Sequence, residues 1–168
     1  MADRSHPLAA SAAASVHCAA VQLAALPPTA RFIVRDAGGL AAIGLAVPGV
    51  CRASVSGERA VLWLGPDEYL LLAPDDAAPR LVHAVDVSHR DAALTVSGAR
   101  AAWVINAFCA LDLHPSAFPV GMCTRTVFAK AEIVLWRTGP EIFRIDVARS
   151  VAPYVWACLE EARREFLA

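Results

Sequence analysis

One lysine, Lys130, is all that this 168-residue chain carries, and no Gly-x-x-x-x-Gly-Lys phosphate loop contains it. There is no Gly-x-Gly-x-x-Gly run either, so a flavin or nicotinamide held by a doubly wound nucleotide-binding unit is excluded. The five cysteines, Cys18, Cys51, Cys109, Cys123 and Cys158, form no Cys-x-x-Cys pair, and their count is odd. That argues against a disulfide framework and points to a reducing, cytoplasmic setting. No apolar run approaches the ~18 residues that a membrane-crossing helix needs. The net charge of −1 and the pI near 6.5 leave no electrostatic footprint for nucleic acid or an anionic membrane.

What the chain has in excess is apolar side chain. Hydrophobic residues make up 57% and charged residues 18%, against roughly 45–50% and about 25% in an average globular protein. Alanine supplies much of the excess, as compositional bias would, and an apolar surface held against another protein would do the same. A chain of 168 residues suits one domain with its own core. Its first residues carry Arg4 ahead of an alanine-rich stretch and so imitate a secretory leader. Asp3 offsets that arginine, His17 interrupts the run, and Ser15-Val16-His17 before Cys18 lacks the small residues of a lipoprotein signal. The expectation is a flexible N-terminal arm over 1–15 and a single α+β domain over 16–168.

Periodicity and punctuation set out the elements. His17 to Leu26 alternates imperfectly as a strand until Pro27-Pro28 stops it. Arg31 to Arg35 is a strand, and Leu40 to Val47, behind Gly38-Gly39, is a helical turn or two. Cys51 to Val55 and Arg59 to Leu64 form a hairpin around Ser56-Gly57-Glu58, and Tyr69 to Ala73 adds a third strand. His83 to Val87 and Ala92 to Val96 are strands flanking Ser88-His89-Arg90. A helix over Ala99 to Phe108 follows, with Ser97 as N-cap and Ala101, Val104, Ile105 and Phe108 on its apolar face. Strands over Thr124 to Lys130, Glu132 to Arg137 and Glu141 to Val147 come next. Ser150 caps a terminal helix from Val151, where Pro153 is tolerated in the first turn. Val155, Cys158, Leu159, Ala162 and Phe166 form its buried stripe, and Glu160 and Arg164 stand as an i,i+4 pair.

One pattern repeats. Val61-Leu62-Trp63-Leu64-Gly65-Pro66-Asp67-Glu68-Tyr69 recurs as Val134-Leu135-Trp136-Arg137-Thr138-Gly139-Pro140-Glu141-Ile142. Each is strand, Gly-Pro turn, strand, with glycine supplying an unusual backbone angle and proline pre-setting the next. The repeat points to a domain built from two related αβ halves.

Asp86-Val87-Ser88-His89-Arg90 gathers carboxylate, hydroxyl, imidazole and guanidinium at a strand end. In an extended strand Asp86, Ser88 and Arg90 share one face while Val87 and His89 share the other. Ser88 and His89 then point apart, which speaks against a nucleophile and its base. The plainer reading has Asp86 and Ser88 bonding turn backbone while Arg90 braces a neighbouring element. Cys109, Asp112, His114 and Cys123 are metal-ligand types without the close pairs of a structural zinc site. Cys109 reads as a buried small hydrophobe, and no third group orients it with His114 as a catalytic pair. Trp63, Trp103, Trp136 and Trp156 suit core or interface positions. Tyr154 and Trp156 fall off the terminal helix's buried stripe and are expected first among partner contacts.

The block from Val85 to Thr126 adds what no single motif carries. Asp86-Val87-Ser88-His89-Arg90 leads to Ala93-Leu94, then to Val96-Ser97-Gly98. Cys109-Ala110-Leu111-Asp112-Leu113-His114-Pro115, Phe118-Pro119 and Gly121 follow in order. Trp63-Leu64-Gly65-Pro66-Asp67-Glu68 upstream and Arg149-Ser150, Ala152 and Tyr154 downstream complete the series. The ordered series resembles the gamma subunit of heterotetrameric sarcosine oxidase, which has a folate-binding, aminomethyltransferase-like fold. The resemblance covers the chain from Arg31 to Phe166. It implies an α+β fold, a mostly antiparallel sheet with helices packed on one face and two pseudo-repeated halves.

The same resemblance implies a non-catalytic subunit with no cofactor of its own. FAD, FMN, NAD and folate are then expected in alpha and beta subunits and zinc in a delta subunit. The complex would oxidatively demethylate sarcosine to glycine, with hydrogen peroxide and formaldehyde or 5,10-methylenetetrahydrofolate as the other products. Asp86, Ser88, His89, Arg90, Asp112, His114, Tyr154 and Trp156 become candidates for partner contact or for bracing turns. In one place the chain departs from the family: Asp76 to Arg80 runs almost directly into the strand at His83, where relatives carry a helix. The alternative is a free-standing folate or one-carbon-binding domain, with Asp86 or Arg90 holding the pterin. A hydrolase using Cys109 or Ser88 with a histidine is the remaining rival.

Overall fold

The computed structural model describes residues 6–35, 37–74 and 83–167. Among the described residues ten strands form two five-stranded sheets, and each half of the chain lays down the same series of elements. The first half runs β2 (Ala30–Val34), α2 (Ala37–Ala42), β3 (Ala53–Ser56), β4 (Arg59–Gly65) and β5 (Glu68–Ala73). The second runs β7 (Asp91–Ser97), α3 (Ala101–Asn106), β8 (Cys123–Phe128), β9 (Ala131–Gly139) and β10 (Ile142–Ala148). Strand orders match as well: β3-β4-β5-β2 against β8-β9-β10-β7.

The fifth strand of each sheet comes from the other half. β1 (Gln22–Ala25) precedes β2 in the chain yet pairs with β7, and β6 (Ala84–Asp86) precedes β7 yet pairs with β2. The hydrogen bonds that prolong these pairings correspond too, Leu26 N–H to Ala93 O at 2.9 Å and Val87 N–H to Arg31 O at 2.8 Å. The pseudo-twofold axis passes by the Arg52–Met122 bridge. There Ala53 N–H reaches Gly121 O at 2.8 Å and Cys123 N–H reaches Cys51 O at 3.0 Å.

Alternation fills the layers. Leu62, Leu64, Leu70 and Leu72 of one sheet meet Cys123, Val134 and Trp136 of the other in the inter-sheet core. On the outer faces, Val61, Tyr69 and Leu71 pack with Leu40 of α2. Ile133, Leu135, Phe143 and Ile145 pack with α3 and with α4 (Ala152–Arg163). Each sheet therefore keeps its helices on one face, as anticipated.

Several local expectations change. The repeat holds, but its tryptophans are one residue out of step. Both hairpins carry a bulge: Trp63 pairs with Tyr69 and Gly65 with Glu68, as Arg137 pairs with Phe143 and Gly139 with Ile142. Trp63 therefore corresponds to Arg137, and Trp136 to Leu62. A one-residue shift turns every side chain to the opposite face, so Trp63 faces α2 while Trp136 faces the inter-sheet core.

The stretch expected as a loose arm is docked from His6 onward. A short helix, α1 (Ala9–Ala13), follows the fully buried Leu8, and Ser15 bonds Glu160 and Arg163 of α4 at 2.8 Å each. Neither Ser97 nor Ser150 caps a helix. Arg100 and Val151 hold the N-cap positions of α3 and α4, and neither side chain makes a capping bond. The acid–base pairs of the last helix fall at i,i+3, Glu160–Arg163 and Glu161–Arg164. The shortened segment Asp76 to Arg80 lies outside the described residues. Among the described residues no helix is long and apolar enough to cross a membrane.

Candidate functional site

Two places gather the residues singled out by sequence. The first lies where the β1–β2 and β6–β7 connections cross between the sheets. Ser88 Oγ accepts the Arg31 N–H at 2.9 Å and donates to Asp86 Oδ1 at 2.6 Å, which also takes the Ser88 N–H at 2.8 Å. With its hydrogen given to Asp86, the Ser88 hydroxyl has none to give His89, so no serine–histidine relay forms. Arg90 turns to its chain neighbour Asp91 at 3.2 Å instead of another element. Its backbone carbonyl does brace one, accepting the Arg149 N–H at 3.0 Å.

Arg31 occupies the centre of this crossing. Its side chain is 2% exposed and reaches Asp146 of β10 at 3.1 Å. Burial works to raise the Asp146 pKa, but Arg144 and Arg31 outweigh it and hold the carboxyl below the usual range. Sequence reading missed this pair because its members are 115 residues apart. Beside it lies a cavity of about 30 Å³ bounded by His6, Thr29, Arg31, Ser88, His89 and Arg149. That is room for little more than water, whereas small-molecule pockets run to about 300–1,000 Å³.

The second place is the 111–121 segment. Asp112 Oδ1 accepts the His114 N–H at 2.8 Å, a turn within the loop. His114 Nδ1 lies 2.7 Å from Ser116 Oγ and accepts the Ser116 N–H at 3.3 Å. Cys109 is buried beside Thr126, its sulfur 4.0 Å from the hydroxyl. Cys123 sits in the inter-sheet core, where burial pushes its thiol up to about 12. Among the described residues no group of three or more His, Cys, Asp or Glu converges on a metal position.

The residue that organises this segment is Arg137. It is 5% exposed, lies over the Phe143 ring with 5.0 Å to the centroid, and donates to four backbone carbonyls. Leu113 O and Phe118 O accept at 3.2 and 2.9 Å, Gly139 O at 3.3 Å, and Pro140 O completes the set. The loop is thereby tied to the β9–β10 turn. Between that loop, α3 and the turn runs an open groove of about 700 Å³, walled in part by Trp103, Asn106, His114, Val120 and Glu141.

The terminal helix divides its two candidates. Tyr154 is exposed, with desolvation and the neighbouring Cys158 thiol raising its phenol. Trp156 is 2% exposed and its indole N–H donates to Glu160 at 3.1 Å, so it is core and not a contact surface. The helix is covered by both the sheet and α1, which widens its buried face beyond a single stripe.

Among the described residues no catalytic set converges at either place, and comparison with known proteins gives the arrangement its context. The sarcosine oxidase, gamma subunit family matches residues 34–165. The chain belongs to that family. It is 38% identical over 150 residues to the sarcosine oxidase subunit gamma of Corynebacterium sp. (strain P-1), covering 79% of this chain and 73% of the relative. The sarcosine oxidase subunit gamma of Corynebacterium sp. (strain U-96) is 36% identical over 143 residues, 76% of this chain and 68% of the relative. Among solved structures, a chain of the heterotetrameric sarcosine oxidase from Corynebacterium sp. U-96, in complex with pyrrole 2-carboxylate, superposes with a TM-score of 0.86. The two are 30% identical and the match covers 98% of this chain and 97% of the other. The glycine cleavage system aminomethyltransferase T of Bartonella henselae shares the fold. There the TM-score is 0.62 at 12% identity, over 84% of this chain and 46% of that one. The gamma-subunit fold thus recurs in an aminomethyltransferase.

Proposed function

We propose that this gamma subunit is a non-catalytic, structural member of a heterotetrameric sarcosine oxidase, acting in the cytoplasm. It would stabilise the assembly that oxidatively demethylates sarcosine to glycine, with hydrogen peroxide and formaldehyde or 5,10-methylenetetrahydrofolate formed alongside. Its partners are the alpha, beta and delta subunits. FAD, FMN, NAD and folate belong to the first two and zinc to the last. The observation that carries this reading is the near end-to-end match, at a TM-score of 0.86, to a chain of the heterotetrameric enzyme.

The chain's own residues support a structural role. Ser88, Asp86, Asp112 and His114 are occupied in turns, and Arg137 is fully engaged with carbonyls. A folate held at Asp86 or Arg90 has little support, because the cavity beside Ser88 is about 30 Å³ and a pterin needs several times that.

The test is turnover per assembled complex. Ser88→Ala, His89→Ala, Cys109→Ala and His114→Ala variants, co-expressed with the oxidase subunits, are expected to keep sarcosine turnover per bound flavin within about twofold, since removing a general acid–base alone costs about 10²–10⁴. Omitting the chain is expected to lose activity through dissociation. A hundredfold drop in an intact complex carrying any one substitution would overturn the non-catalytic reading.

A further inference from the structure

The pseudo-twofold allows one half of the molecule to be read against the other. In the first half Arg35 pairs with both turn acids, Asp67 and Glu68, at 3.0 Å each, and Arg125 is a second cation on Glu68. The pairing Val34–Tyr69 corresponds to Val96–Phe143, so Arg35 corresponds to Ser97 and Asp67 to Glu141. Ile142 then stands where Glu68 does. The second half has thus kept an acid at the turn and lost the arginine that answers it. Among the described residues Glu141 is in no ion pair, and neither is Asp112 across the groove.

A pocket of about 480 Å³, bounded by Ser97, Glu141 and Ile142, opens where the missing arginine would lie. It shares Gly98, Pro140 and Glu141 with the groove of about 700 Å³, so the two form one furrow astride the Pro140 turn. Large apolar side chains stand open along it, with Trp103 47% exposed, Val120 50% and Ile142 42%. An exposed tryptophan flanked by aliphatics and rimmed by acids has the make-up of an interface core, not of ordinary surface.

We propose that another subunit of the oxidase docks in this furrow. It places an arginine or lysine against Glu141, where Arg35 stands in the first half, and an aliphatic or aromatic side chain against Trp103, Val120 and Ile142. The proposal rests on the subunit reading and names the surface that the reading leaves open. Because Arg35 answers Asp67 from within the chain, the first-half turn has no need of a partner's charge, and the interface is one-sided.

The test uses the full chain co-expressed with the other oxidase subunits. Glu141→Arg and Trp103→Ala are each expected to weaken binding to the remaining subunits about tenfold or more. Isolated Glu141→Arg should melt with the wild type, since its side chain is open to solvent. Trp103→Ala loses the edge contact with Phe166 at 5.2 Å and is compared at a temperature where the isolated variant stays folded. Glu58→Arg, in the β3–β4 turn, is expected to change nothing. Raised salt should weaken the wild-type complex more than the Glu141→Arg complex. Unchanged affinity in both furrow variants would overturn the proposal, and so would an isolated-chain homodimer that either variant dissolves. Failure of the wild-type chain itself to bind the other subunits would instead overturn the subunit reading, so the two failures are distinct.

Discussion

Arg31 and Asp146 meet 3.1 Å apart between the two sheets, with 2% and 1% of their side chains exposed. Each belongs to a different half of the pseudo-twofold, so the pair ties the halves together. Arg144 adds two hydrogen bonds to the same carboxylate, at 2.7 and 3.0 Å. Breaking such a pair from one side leaves a buried charge uncompensated, which costs about 3–5 kcal/mol. Asp146→Asn is therefore expected to lower the unfolding free energy by that amount, read from the fall in the urea midpoint at unchanged slope. Arg31→Met combined with Asp146→Leu should cost less than Asp146→Asn alone, because Arg144 can turn toward water.

The same pair sets an acid limit. The Asp146 pKa lies below its ordinary 3.8 in the folded chain. Its contribution to stability is then complete above the unfolded value and lost as pH falls through the depressed folded one. Unfolding followed by circular dichroism should show a steep loss below about pH 4 that Asp146→Asn flattens.

The docked N-terminal segment responds to pH in the other sense. His6 Nδ1 accepts the Leu8 N–H at 3.2 Å, which only the neutral ring can do. Burial chiefly, then Arg149 and Arg31, hold its pKa below the ordinary 6.5, against an opposing bond with the Leu26 backbone. His89 and Asp91 also border the same cavity. As pH falls below 6.5 a released His6 gains a proton that the docked one resists, so docking weakens. The protection factors of the Ala9–Ala13 amides, with the pH dependence of intrinsic exchange divided out, should fall between about pH 7.5 and about pH 5.5, and His6→Gln should abolish the difference.

Gly98 is held both by its backbone angle and by a close approach. Its φ is +117°, and a Cβ there would lie 2.4 Å from Ala20 O. Gly98→Ala must both strain the backbone and move the strand entry at Ala20. It is expected to destabilise by about 3 kcal/mol in thermal or urea unfolding.

Two tryptophans should behave in opposite ways. Trp156 is core and hydrogen-bonded, so Trp156→Ala is expected to cost about 3–5 kcal/mol. The Trp136 indole N–H is buried with no hydrogen-bond partner among the described residues. Removing an unsatisfied donor while keeping the ring offsets much of the lost volume, so Trp136→Phe should stay within about 1 kcal/mol of wild type.

The elements were legible where local chemistry decides them. Gly65-Pro66 and Gly139-Pro140 announce equivalent turns, and alternation in Ile133, Leu135 and Arg137 places those side chains on one face. Which strand pairs with which was not legible, because the exchange of β1 and β6 between halves is a matter of chain path and not of periodicity. The shared Val-Leu-Trp run made Trp63 and Trp136 look equivalent, although Trp63 stands two residues before its turn glycine and Trp136 three. Trp156 was misplaced because the helical stripe was drawn for one packing partner, while α1 covers a second side. Arg137 carried a signal that went unread: an arginine where a strand's alternation demands a buried side chain. The Asp86–Ser88 turn closes locally, Asp86 Oδ1 accepting the Ser88 N–H, and its clamp on Arg31 required tertiary structure to see.

The subunit reading is tested most directly by co-expressing the tagged chain with the oxidase subunits and following flavin absorbance through size exclusion. The account predicts one yellow complex with this chain in fixed proportion, and a complex that falls apart when the chain is omitted. A colourless chain eluting alone, beside an intact active oxidase, would contradict it.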